Sequence, residues 1–137
     1  GGVTPDIYIP FSLNLNSATR KIMTHPNRLM FNWSTNYLNE KNDPFSSYFD
    51  FQSSWVVSDE DLTNFLEYVK IQDHTINIDD VLSDKSYLKT MLKSEIAGAR
   101  WGINELWGIR VNADNQLIES MKHFDKAGSF LEKYQYN

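Results

Sequence analysis

The sequence predicts a mainly α-helical domain: four to five helices packed as an irregular bundle, with one short N-terminal strand left over from a preceding domain. Three observations carry that expectation. Apolar residues recur at helical spacing along most of the chain beyond residue 26. Ser58 stands three residues before Asp61, the spacing of a helix cap, at the head of one such stretch. The clear strand signal is confined to Ile7, Tyr8 and Ile9, closed off by Pro10.

The opening "GGVTPDIYIP" sets the domain boundary. Pro5-Asp6 is turn chemistry, and the strand after it needs at least two partner strands and an apolar face to cover. The next hundred residues offer no partner. Residues 1–11 therefore read as the last strand and linker of a preceding core, and 12–137 as a helical domain.

The elements follow in order. Asn14, Asn16 and Ser17 supply turn or cap side chains for a short helix from about Ser17 to Thr24. Pro26 stands at a first-turn position, and Met30, Trp33 and Tyr37 continue a helix that Asn42-Asp43-Pro44 ends. In "PFSSYFDFQSSW", Phe45, Tyr48 and Phe49 fit a helical turn, while Phe49 and Phe51 fit strand alternation equally; a short helix is preferred. Asp59, Glu60 and Asp61 suit the positive end of the next helix, whose Leu62, Phe65, Leu66 and Val69 form one apolar stripe to about Ile71. A connector to Leu82 tucks Ile76 and Ile78 inward. A long helix is expected from near Asp84 to Trp107, with Leu88, Leu92, Ile96, Ala99, Ile103 and Leu106 on one face. Ser94, Gly98 and Gly102 form a flat strip on that helix, where close packing offsets the roughly 1 kcal/mol that each helical glycine costs. Asn112 caps a last helix marked by Leu117, Met121, Phe124 and Leu131, with Tyr134 and Tyr136 in its tail.

Composition narrows the function classes. The 137 residues hold one domain's core, with 41% hydrophobic and 23% charged residues, as in soluble globular proteins. A net charge of −5 without a Lys/Arg cluster argues against nucleic-acid binding. No stretch approaches the ~18 apolar residues that span a bilayer, and no signal peptide is visible. The absence of cysteine removes disulfides, thiolate catalysis and Cys-ligated metal. Aromatics reach 14%, Trp33, Trp55, Trp101 and Trp107 among them, which suits a bulky core better than a stacking surface for sugar or peptide.

Chemistry-bearing patterns are sparse. His25, His74 and His123 lie far apart, without metal-ligand spacing. Gly98, Gly102 and Gly108 follow no strand, so they form no phosphate loop. Ser86-Tyr87-Leu88-Lys89 matches S-x-x-K, a serine nucleophile with a lysine base, but its companion motifs are missing and about one such match arises by chance. It reads as a helix start. Asp59, Glu60 and Asp61 are what a helix dipole favours, and Asp79-Asp80 is a turn or cap. No catalytic, cofactor-binding or metal-binding residue is singled out, and no cofactor is expected. By its residues alone the chain is not an enzyme.

The opening Gly1-Gly2-Val3-Thr4-Pro5-Asp6-Ile7-Tyr8-Ile9-Pro10 resembles the end of the protease core in carboxyl-terminal processing (tail-specific) serine peptidases, closest to the Bacteroidetes-type form with an appended helical region. "VVSDEDLTNFLEYVK", "LKSEIAGARWG" and "NADNQLIESMKHF" are similar to segments of that region. The resemblance implies a parent that cleaves peptide bonds in the periplasm or cell envelope with a Ser-Lys dyad lying upstream of Gly1, without a cofactor. On that expectation the chain is a non-catalytic helical domain that positions substrate, stabilises the core or forms a homodimer. Its partners would be the rest of its own protease chain and, through it, protein or peptide substrates. The alternative is a stand-alone helical module that binds peptide or glycan through exposed aromatics.

Overall fold

The computed structural model describes residues 15–125, less the side chains of 117, 118 and 120–125. The expected fold class is observed: the chain is mainly helical, and no strand occurs among the described residues. The expected strand at Ile7–Ile9, and Leu131, Tyr134 and Tyr136, lie outside the described residues.

Helix α1 runs Ser17–Met23, with the Asn16 side chain accepting the Ala18 N–H at 2.9 Å. Its start is tied across the fold, because Asp84 accepts both the Asn16 N–H at 2.8 Å and the Thr19 hydroxyl at 2.6 Å. Helix α2, Leu29–Glu40, begins later than Pro26 suggests. Arg28 takes a left-handed backbone, φ 49°, which interrupts any helix entered at the proline. The helix stops where Asn42 and Asp43 turn left-handed, φ 56° and 49°, a conformation these short polar side chains tolerate.

Helix α3, Tyr48–Ser54, is the preferred short helix, opened by the Ser47 hydroxyl accepting the Asp50 N–H. Phe45 lies before it, not in its first turn. There it packs edge-on against Phe51 at 4.7 Å and Trp55 at 5.1 Å, and Trp101 joins the same cluster 5.2 Å from Phe51. Helix α4, Asp59–Gln72, carries the expected cap, Ser58 Oγ accepting the Asp61 N–H at 3.0 Å, and buries Leu62, Phe65, Leu66 and Val69. The connector is itself partly helical: α5, Ile78–Val81, capped by Asn77, then a 3₁₀ turn, Leu82–Asp84. These short segments bring the helices to more than the four or five expected. Ile76 is buried and Ile78 packs against the core.

The long helix expected over 84–107 is two helices. Helix α6, Lys85–Arg100, ends at a reversal, and α7, Ile103–Asp125, runs back beside it. Gly102 makes the break with φ 127°, a backbone that side-chain-bearing residues rarely adopt. The antiparallel course shows in the contacts: Gly98 against Leu106, then Arg110 donating to Ser94 Oγ at 2.9 Å and Glu95 at 3.1 Å. Asn112 is therefore interior to α7 and caps nothing. Leu88, Leu92 and Ile96 are buried as expected, but Ala99 and Ile103 lie on the outside of the reversal, where Ile103 is 60% exposed. Met91 and Ala97 take their place in the core.

The glycine strip thus divides by role. Gly98 receives a neighbour, for a Cβ there would stand 3.0 Å from Leu106 Cδ1 and 3.2 Å from its Cβ. Gly102 serves the turn. Gly108 admits the Tyr48 hydroxyl, which donates to the Glu105 carbonyl at 3.2 Å and ties α3 to α7. Among the described residues no helix is long and apolar enough to cross a membrane.

Candidate functional site

Helices α3, α6 and α7 enclose a cleft of about 330 Å³. Its apolar side is Trp55, Val56, Val57 and Ile109, of which Val57 and Ile109 belong to the buried core and Val56 is 71% exposed. Its polar side comes from α6. Residues 86, 89, 90 and 93 recur at helical spacing, so Ser86, Lys89, Thr90 and Lys93 share one face. Asn112 and Gln116 complete it from α7.

The two cleft lysines are held differently. Asp59, at the start of α4, takes Lys89 at 2.6 Å and Lys85 at 2.8 Å. The hydrogen bonds from these two ammonium groups, with their charge, hold the Asp59 carboxyl down at about 2. Lys93, one turn further, is half-buried and has no carboxylate partner among the described residues. Its Nζ donates to the Gln52 carbonyl at 2.9 Å and stands 5.5 Å over the Phe51 ring. Desolvation by burial lowers its pKa. A partly desolvated cation with a carbonyl and a ring face for company favours a carboxylate arriving from outside.

Ser86 and Lys89 of the S-x-x-K match do share this cleft. Lys89 is committed to Asp59 as an ammonium, which opposes service as a base. The acidic trio diverges: Asp59 faces the lysines, while Asp61 accepts the Tyr37 hydroxyl at 3.4 Å. Asp79 and Asp80 give their N–H groups to the Asn77 side chain as a turn requires. His25 Nδ1 accepts the Asn27 N–H at 3.1 Å, so its Nε2 donates to Asp73 at 3.0 Å and staples the α1–α2 connector to the end of α4. Thr75 donates twice to the same Asp73, and those bonds chiefly hold its pKa down at about 2. His74 is exposed, and the His123 side chain lies outside the described residues. Among the described residues no group of three or more His, Asp and Glu is placed to hold a metal ion.

Sequence reasoning missed Lys93. The signal was present in the i, i+4, i+8 series Lys85, Lys89, Lys93, which puts three ammonium groups along one helix face. What it could not supply was that one carboxylate answers the first two and leaves the third.

Fold and cleft together define an α-helical bundle with a lysine-lined cleft. Residues 23–102 match the family of unknown function DUF8443, and the chain belongs to that family. The matched stretch runs from the end of α1 to the glycine of the α6–α7 reversal, so it includes the lysine face and leaves α7 outside. No curated protein matches the chain, and no solved structure does.

Proposed function

We propose that this chain is the non-catalytic helical domain of a bacterial cell-envelope serine endopeptidase of the carboxyl-terminal processing kind, and that its α3–α6–α7 cleft positions substrate polypeptide. The observation that carries the binding role is Lys93, a half-buried ammonium without a carboxylate partner among the described residues, beside an apolar wall. Such a site favours a chain that offers a carboxylate and an apolar side chain together. The parent activity comes from the resemblance of Gly1–Pro10, whose Ser-Lys dyad lies upstream. The pairing of Lys89 with Asp59 supports placing the nucleophile and base there and not at Ser86. Sequencing upstream of Gly1 in the source genome tests the parent. A PDZ-like segment followed by a core serine and lysine supports it. A start codon or signal peptide immediately before Gly1 overturns it.

A further inference from the structure

A second groove, about 260 Å³, lies between α2 and α4 and is unrelated to the lysine cleft. Its floor is Trp33, buried, with its indole N–H donated to Asn64 at 2.9 Å. Tyr37 stacks on that indole with centroids 5.2 Å apart and planes at 30°, and Tyr68 lines the groove from α4. Burial and the neighbouring Asp61 push the Tyr37 hydroxyl up to about 12. Glu40 lines it from α2 and Glu67 from α4; both are exposed and neither has an ion-pair partner among the described residues. Lys41, which does not line the groove, stands 5.8 Å from the Tyr37 ring centroid, so an incoming cation would compete with it for that ring or take Tyr68.

We propose that the α2–α4 groove binds the guanidinium of an arginine-bearing peptide segment. The charge is complementary: two exposed carboxylates, one from each helix, line a groove that also holds two tyrosine rings, in a cavity that holds a side chain and not a folded partner. Arginine fits better than lysine, because its planar fork stacks on a ring while its edge donates to a carboxylate. The proposal is independent of the peptidase reading, since it uses neither the lysine cleft nor the upstream motif.

The test is an NMR titration of the whole 137-residue chain with acetyl-Gly-Arg-Gly-amide, its lysine and citrulline analogues, and maltotriose. The expected result is a set of shifts at the Trp33 indole, Tyr37 and Tyr68 with the arginine peptide. Binding should weaken with lysine, vanish with citrulline, and fall as salt rises. Glu40→Gln with Glu67→Gln should weaken it by about tenfold. Both positions are on the surface, so the doubly substituted chain keeps its fold and its spectrum serves as the control. Equal binding of citrulline, undiminished binding by the doubly substituted chain, or shifts with maltotriose in place of the arginine peptide would each overturn the proposal.

Discussion

Asp114 stands within α7 with its carboxyl shielded from water, and neither oxygen accepts a hydrogen bond from the described residues. Burial pushes its pKa from 3.8 up to about 6. A raised carboxyl pKa means that the folded chain holds the proton more tightly than the unfolded one. Ionisation therefore costs stability: nothing below the unfolded value near pH 4, a growing penalty between pH 4 and 6, and a constant one above. A shift of about 2 units at about 1.4 kcal/mol each gives a full penalty of up to about 3 kcal/mol. Asp114→Asn keeps the shape and removes the charge. Its amide is also poorly partnered, but equally so at every pH, so the quantity to read is how the difference from wild type changes. Urea unfolding followed by tryptophan fluorescence at pH 4, 5, 6 and 7 measures it. The variant should gain on wild type by roughly 2–3 kcal/mol between pH 4 and 7. A difference independent of pH, or a variant that loses ground as pH rises, would refute the reasoning and mean that the carboxylate has a stabilising partner.

Four further expectations rest on particular residues. Gly98→Leu must push Leu106 aside and should cost about 1–3 kcal/mol or more. Gly102→Ala forces a side chain onto φ 127° and should also cost about 1–3 kcal/mol; a raised melting temperature would mean, for Gly98, that Leu106 does not pack there, and for Gly102, that the reversal does not need the positive φ. Ser58→Ala removes the α4 cap and should lower stability by about 0.5–2 kcal/mol, read as a shifted denaturation midpoint. Asp59 and Asp73, both held at about 2, contribute stability that is present above pH 4 and lost as pH falls towards 2. Asp73→Asn should flatten that acid limb in a pH-dependent melting series.

The sequence made the helical class legible because its signals were local. The Ser58 cap and the Leu62–Val69 stripe lie within one helix, and the structure keeps them. The α6–α7 reversal was harder. The apolar positions continue in helical step through Gly102, so periodicity alone joins two helices that a single positive φ separates. Gly98 and Gly102 look equivalent in sequence, yet one accepts Leu106 and the other turns the chain. The cleft was less legible still, because its character comes from long-range pairing. Asp59 is 26 residues from Lys85 and 30 from Lys89, and their meeting leaves Lys93 without a carboxylate among the described residues. Trp55 was visible as an aromatic, but its placement in a cleft wall depends on α3, α6 and α7 converging.

Under the proposed function, Lys93 and the wall beside it hold a polypeptide and do not cut it. The most direct measurement is an NMR titration of the 137-residue chain with dephosphorylated casein, an unfolded carboxylate-rich polypeptide, beside the same titration of Lys93→Met. The substitution keeps an unbranched stem and removes the charge. The account predicts shifts gathered at Trp55, Val57, Thr90, Lys93 and Ile109, binding weakened about tenfold or more in the variant, and casein recovered intact. Shifts elsewhere, equal binding by the variant, or casein cleaved by a reaction that Ser86→Ala abolishes would contradict it.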